Sequence, residues 1–252
     1  MVVSVGDSES FQEVVRAATM QLVSHEAIGG AHYVTTPLMY ASGGYVVVRV
    51  ERSAGEFFVS DFGAGHEEAQ LINGETIYRN IARGIADANG IGFDSYAFFV
   101  VQVRQDQLAG AIGAVANSSQ EAVNLTSLKV SERRHREADA ALYDRLSHVF
   151  GRANIARDAH IVGASNTEWH VSSLVTIERR QVVFEPVSKH PNSVVHAAAK
   201  FSDISRINHA PGRVAVVSSK KALGTYLGVL SHNASVIERR VDDRVYQRLL
   251  AA

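Results

Sequence analysis

The stretches YVVVRVE (45–51), EFFVSD (56–61), YAFFVVQVR (96–104), QVVFEPVS (181–188) and RVAVVSS (213–219) most restrict what this chain can fold into. Each is short and dense in Val, Phe and Tyr, so each reads as a strand with a buried face. Between them, apolar residues recur at three- and four-residue spacing, as on amphipathic helices. Phe11, Val14, Val15, Ala18 and Leu22 predict a helix over 9–24, with Ser10 and Glu13 as a capping box and Gly29-Gly30 as its stop. A strand over 34–40 and the glycine-bearing loops ASGG and RSAG give a three-strand meander. Helices follow at 66–73 and 76–89, then the strand 96–104 and a helix over 106–128. The second half predicts a helix over 132–150, strands near 158–164, 168–178 and 181–188, and a helix over 191–204. Strand 213–219, helix 221–232, strand ASVIER and a helix around 242–250 complete it. The class is α/β (α+β), with both halves ordered helix, three strands, helix, strand. That order is compatible with duplication, although no residue-level repeat is visible.

Charge divides the chain as well. Residues 1–130 hold 7 Lys+Arg against 14 Asp+Glu, a net −7; residues 131–252 hold 18 against 12, a net +6. Two domains are expected, an acidic 1–130 and a basic 131–252, with the boundary between 126 and 136. The split is one that steers partners, nucleic acid or an acidic protein above all. With no cysteine, disulfides, thiolate catalysis and cysteine-ligated metals are excluded. No apolar run approaches the ~20 residues of a membrane span. MVVSVGDSESF lacks a basic segment followed by an apolar one, so the expectation is a cytoplasmic protein with no membrane contact. A homo-oligomer stays open.

Asp61-Phe62-Gly63 spells the metal-binding corner of a protein kinase, but the glycine-rich loop, strand lysine and H-R-D loop that must precede it are missing. The better reading has Asp61 ending a strand and capping the next helix while Gly63 allows the turn, a role worth ~1 kcal/mol. Gly6-Asp7-Ser8 resembles the nucleophile block of GDS-type esterases, yet no late D-x-x-H supplies a base. Ser8 and Ser10 read instead as helix caps. Eleven histidines include no H-E-x-x-H and no H-x-H. His160, His170, His190 and His196 are the set that could converge, against a simpler expectation of scattered histidines and no metal. No phosphate-binding glycine loop is present, and no cofactor is expected.

Helix, three strands, helix, strand is also the order of the restriction-endonuclease-like core. Its chemistry needs a carboxylate on the second strand and an E-x-K on the third, to hold Mg²⁺ and orient water. QVVFEPVSK supplies Glu185, but Val187 stands where the lysine belongs and Pro186 disturbs the strand. Lys189 or Lys200 could substitute, with Glu168 or Asp158 as the second carboxylate.

Thr36-Pro37, a hairpin, and Ser60-Asp61-Phe62-Gly63 leading into a helix resemble the shared pattern of a bacterial and phage family catalogued as a domain of unknown function. The similarity covers about residues 9–130, and DQLAGAIGAVANSSQEAVNLTSL is similar to its closing helix. The remainder resembles, more weakly, the domain that often follows it. The resemblance implies a phage or mobile-element setting and host–element conflict, without naming an activity.

Three functions follow as expectations. First is a non-enzymatic macromolecule-binding protein, with Arg133, Arg134, Arg136, Arg179, Arg180, Lys220 and Lys221 as phosphate contacts. Second is a divergent Mg²⁺-dependent nuclease using Glu168, Glu185 and Lys189. Third is an inhibitor whose acidic half mimics nucleic-acid charge. Geometry discriminates among them: a nuclease needs two carboxylates and a lysine converging in one cleft.

Overall fold

In the computed structural model, which describes residues 5–251, the chain divides into two units between Glu132 and Arg133. The first unit opens with α1 (Val5–Met20), β1 (Ser24–Ile28), β2 (Ala31–Met39), β3 (Tyr45–Ser53) and β4 (Glu56–Ser60). Then come α2 (Ala64–Leu71), α3 (Glu75–Asn89), β5 (Gly92–Phe93), β6 (Phe98–Val103) and α4 (Leu108–Phe150). The sheet order is β1-β2-β3-β4-β6-β5 with every neighbour antiparallel. Val46, Val48 and Val50 are buried while Val47, Arg49 and Glu51 are half-buried, the period-two pattern of a sheet with one face on a core. That core joins the strands to Ala69 of α2, Tyr78 and Ala82 of α3, and Val115 and Val123 of α4.

In the second unit, α4 is followed by β7 (Ile155–Val162), β8 (Glu168–Ile177), β9 (Arg180–Val187) and α5 (Pro191–Ile204). β10 (Gly212–Val217), α6 (Tyr226–Asn233), β11 (Ser235–Glu238) and α7 (Asp243–Ala251) complete it. The sheet runs β11-β10-β9-β8-β7. β7, β8 and β9 pair antiparallel, whereas β9, β10 and β11 are parallel, each joined by a crossover helix. Two apolar clusters flank the sheet, one with Val194 and Phe201 of α5 and Leu230 of α6. The other holds Leu142 and Leu146 of α4 and Tyr246 of α7.

Several expectations need correction. The helix predicted to 24 ends at Met20, and Gly29-Gly30 (φ 59° and 85°) turn a hairpin between β1 and β2 instead of stopping a helix. The first unit therefore has four strands before its helices. α1 starts at Val5, so Ser8 and Ser10 lie inside it and Ser10 is not an N-cap. Their side chains lie outside the described residues. Helices 106–128 and 132–150 are one helix of 43 residues, because LTSLKVSERRH holds neither Gly nor Pro to break it. Helix 221–232 is a 3₁₀ turn, Lys221–Leu223, followed by α6. Duplication is not supported: the strand after the helices pairs antiparallel in one unit (β4 with β6) and parallel in the other (β9 with β10).

Candidate functional site

Asp61 follows β4 and is fully buried. Its Oδ1 accepts from Phe98 N–H (2.8 Å) and Gly63 N–H (3.3 Å), and its Oδ2 from Ser119 Oγ (2.7 Å) and Gly65 N–H (3.4 Å). Tyr40 Oη lies 2.8 Å from the same serine. Every one of these donors is neutral. Burial raises the Asp61 carboxyl above the usual carboxylate range, and the bonds from Ser119, Gly63, Phe98 and Gly65 pull it back. Gly63 has φ 87°, and a Cβ there would lie 1.9 Å from the Tyr96 ring. Thr36 has a similar local role. Its hydroxyl donates to the Val46 carbonyl (2.8 Å) and accepts from Leu38 N–H (3.3 Å), across the register shift at Thr36-Pro37. The D-F-G stretch thus joins a strand end, a helix start and β6 through a closed set of hydrogen bonds.

The second unit's carboxylate sits differently. Pro186 has no N–H, and the β8–β9 ladder stops at Ser173 opposite Phe184, while β9–β10 pairing continues to Val187. Beyond that point Ser172 N–H donates to Glu185 Oε2 (3.0 Å), and the His170 carbonyl accepts from Lys200 Nζ (2.6 Å). Lys200 Nζ also meets Glu185 Oε1 at 2.7 Å, with both residues buried. Ser172 Oγ donates to Asp139 Oδ1 (2.7 Å), and His135 Nε2 stands 3.3 Å from Asp139 Oδ2. These groups line a cleft of about 660 Å³ where the strands part. Asn192, Ser193 and His196 bring the first turns of α5 to it, and the positive end of a helix favours an anion.

Only part of the predicted catalytic set is brought together. Glu185 is in the cleft, but Lys189 is exposed past the end of β9, and Glu168, at the start of β8, bonds His160 (3.1 Å) instead. Lys200 is the lysine that meets Glu185. Asp139 was missed, because a polar residue on α4 carries no strand-motif signal. Lys200 did leave one: it falls among Val194, Ala197, Phe201 and Ile204, on the buried stripe of α5. The predicted phosphate contacts do not form one patch. Arg180 begins β9, with Arg179 in the turn before it, and Lys220-Lys221 follow β10, which runs parallel to it, so the pairs are about 25 Å apart at strand rise. Arg133, Arg134 and Arg136 lie on α4 beside His135, and Arg133 pairs with Glu137 (3.8 Å). The histidines are not all scattered. His160 and His170 face each other across β7–β8 with ring centroids 4.0 Å apart, and Asp158 stands beside them. Among the described residues no helix is long and apolar enough to cross a membrane. Comparisons of the chain with protein-family models, with curated proteins and with solved structures return no match.

Proposed function

We propose that the second unit handles phosphodiesters as a divergent, Mg²⁺-dependent nuclease, with Asp139 and Glu185 as the acidic pair and Lys200 as the lysine. One observation carries this reading: two carboxylates and a lysine converge in one cleft, bridged by Ser172. The order of elements, with its antiparallel meander and parallel fourth strand, supports a restriction-endonuclease-like core. Mg²⁺ is commonly held by one or two carboxylates together with substrate phosphate, and the donor set fits that demand. Bound there, the ion would supply positive charge against the phosphate oxygens. Lys200 adds a fixed charge beside Glu185, His135 restrains Asp139, and the first turns of α5 receive an anionic oxygen.

A second reading, a non-enzymatic nucleic-acid binder, is favoured by one specific feature. Ser172 rather than a carboxylate stands on the second strand beside Glu185, and both Glu185 oxygens already accept hydrogen bonds. Digestion of single- and double-stranded DNA and of RNA, with Mg²⁺ and with chelator, separates the two. The nuclease reading expects Mg²⁺-dependent cleavage that Asp139→Asn lowers by about 10²-fold or more, a typical loss for a group acting in proton transfer or charge stabilisation. Salt-sensitive binding without cleavage would leave the binder reading in its place.

A further inference from the structure

β7 and β8 each carry an acid two residues before a histidine, Asp158-Ala159-His160 and Glu168-Trp169-His170. Antiparallel pairing sets His160 opposite His170. Each ring then meets the other strand's carboxylate: His160 Nδ1 lies 3.1 Å from Glu168 Oε1, and His170 Nδ1 lies 3.3 Å from Asp158 Oδ1. One ligand atom from each of Asp158, His160 and His170 falls within 4.8 Å of the other two. We propose that His160, His170 and Asp158 bind a transition-metal ion of the zinc class, with Glu168 orienting His160.

The chemistry of the donors selects the ion. Two imidazole nitrogens and one carboxylate oxygen suit Zn²⁺ and its neighbours, whereas Mg²⁺ and Ca²⁺ prefer all-oxygen shells. Around Zn²⁺, with metal–nitrogen bonds near 2.0–2.1 Å, tetrahedral donors stand about 3.3 Å apart. The present spacing closes to that by rotation of exposed side chains. A carboxylate on Nδ1 of His160 leaves Nε2 for the ion, the usual outer-shell support of a metal-bound histidine. The backbone also departs from ordinary strand geometry here. Asp158 takes φ 47° in the middle of β7, where the ladder passes from Arg157 opposite Ser173 to Ala159 opposite Val171. A left-handed residue inside a strand is costly, and such strain gathers at binding sites. Three protein ligands leave a fourth position open. Because Asp158 and His170 also line the cleft, the ion stands at its rim. The proposal is independent of hydrolysis, since neither Glu185 nor Lys200 is a ligand.

The test titrates Co²⁺, then Zn²⁺, into the full chain without nucleic acid, reading the visible bands of low-coordinate Co²⁺ and the heat of Zn²⁺ binding. Expected is one ion per chain, with Zn²⁺ displacing Co²⁺. His160→Ala with His170→Ala should remove binding, and Glu168→Gln should weaken it about 10- to 100-fold. Asp139→Asn should leave it unchanged. No uptake at micromolar metal, one ion still bound by the double histidine variant, or loss of binding in Asp139→Asn would each overturn the assignment.

Discussion

Among the described residues each unit buries one carboxylate, and the two are kept in opposite ways. Asp61 is held by three backbone N–H groups and a serine hydroxyl, all of them neutral donors. Glu185 is held by one backbone N–H and an ammonium, at the edge of a cleft that Asp139 and Asp158 share. A carboxylate whose acceptor sites are filled by its own backbone fixes a chain crossing and has little left for a ligand. One balanced by the buried, doubly bonded ammonium of Lys200 keeps its charge paired at the wall of a cleft. The difference sets an acid closed off by its own backbone apart from one paired at a cleft, without any appeal to motif, and the D-F-G spelling falls on the closed side.

The contrast breaks most visibly through Lys200. Lys200→Met strands Glu185 without its partner and should cost about 3–5 kcal/mol, the range for breaking a buried ion pair. Removing both charges, in Glu185→Gln with Lys200→Met, should restore much of that. Urea unfolding followed by the fluorescence of Trp169, the sole tryptophan, reads the second unit directly. A cost below about 1 kcal/mol for Lys200→Met would mean the pair behaves as a surface one and the distinction fails.

Asp61→Ala is the matching test in the first unit. It leaves the N–H groups of Gly63, Gly65 and Phe98 buried without acceptors, at roughly 1–3 kcal/mol each, so a loss of about 3 kcal/mol or more is expected. A helix cap alone predicts ~1 kcal/mol, because neither the burial nor the reach to β6 and α4 can be read from a turn motif. Hydrogen exchange should accelerate at those three amides and leave Glu185's surroundings unchanged. Faster exchange throughout both units would show that Asp61 does more than tie its own crossing.

What the sequence showed and what it hid follow from the range of each signal. Strands such as 181–188 and the helix 191–204 were visible because period-two and period-3.6 patterns are local. β1, Ser-His-Glu-Ala-Ile, has too few apolar residues to register, and it pairs only at a sheet edge. Glu185 was legible as an acid on the right strand. Its lysine is missing from the position two residues on, and of the two substitutes the sequence offers, Lys189 and Lys200, it is Lys200 on α5, fifteen positions on, that meets it. The His160–His170 meeting depends on strand register, which the gap between the two histidines does not fix.

Salt dependence sharpens the account of the cleft by a smaller amount. Val187, which lines it, pairs with Val217 at the end of β10, three residues before Lys220. Arg179-Arg180 stand at the opposite end of the sheet. If nucleic acid enters the cleft, neutralising Lys220 and Lys221 to Gln should lower the slope of log affinity against log salt by roughly two. Neutralising Arg179 and Arg180 should leave it unchanged. Equal effects from both pairs would mean the bound strand spans the sheet and the cleft is not the entry point.

The smallest effect expected is a difference in pH dependence, and its sign is what matters. Burial raises Asp61, so the folded protein binds that proton more tightly than the unfolded chain does. At pH below the ordinary carboxylate value the group is protonated in both states and costs nothing. As pH rises from there through the folded-state value, the unfolded chain ionises first, and stability falls. Asp61→Asn cannot ionise, so over that window its stability should decline less with pH than the wild type's, even though the amide disrupts the acceptor set and lowers stability overall. Urea midpoints of the two proteins, taken across the acid limb and compared as a difference, isolate this group from the other carboxylates. A difference that runs the other way would mean the four donors outweigh burial and hold Asp61 ionised. Its resemblance to a ligand-free anion site would then be closer than to a buried acid, and the contrast with Glu185 would narrow to the presence of Lys200 alone.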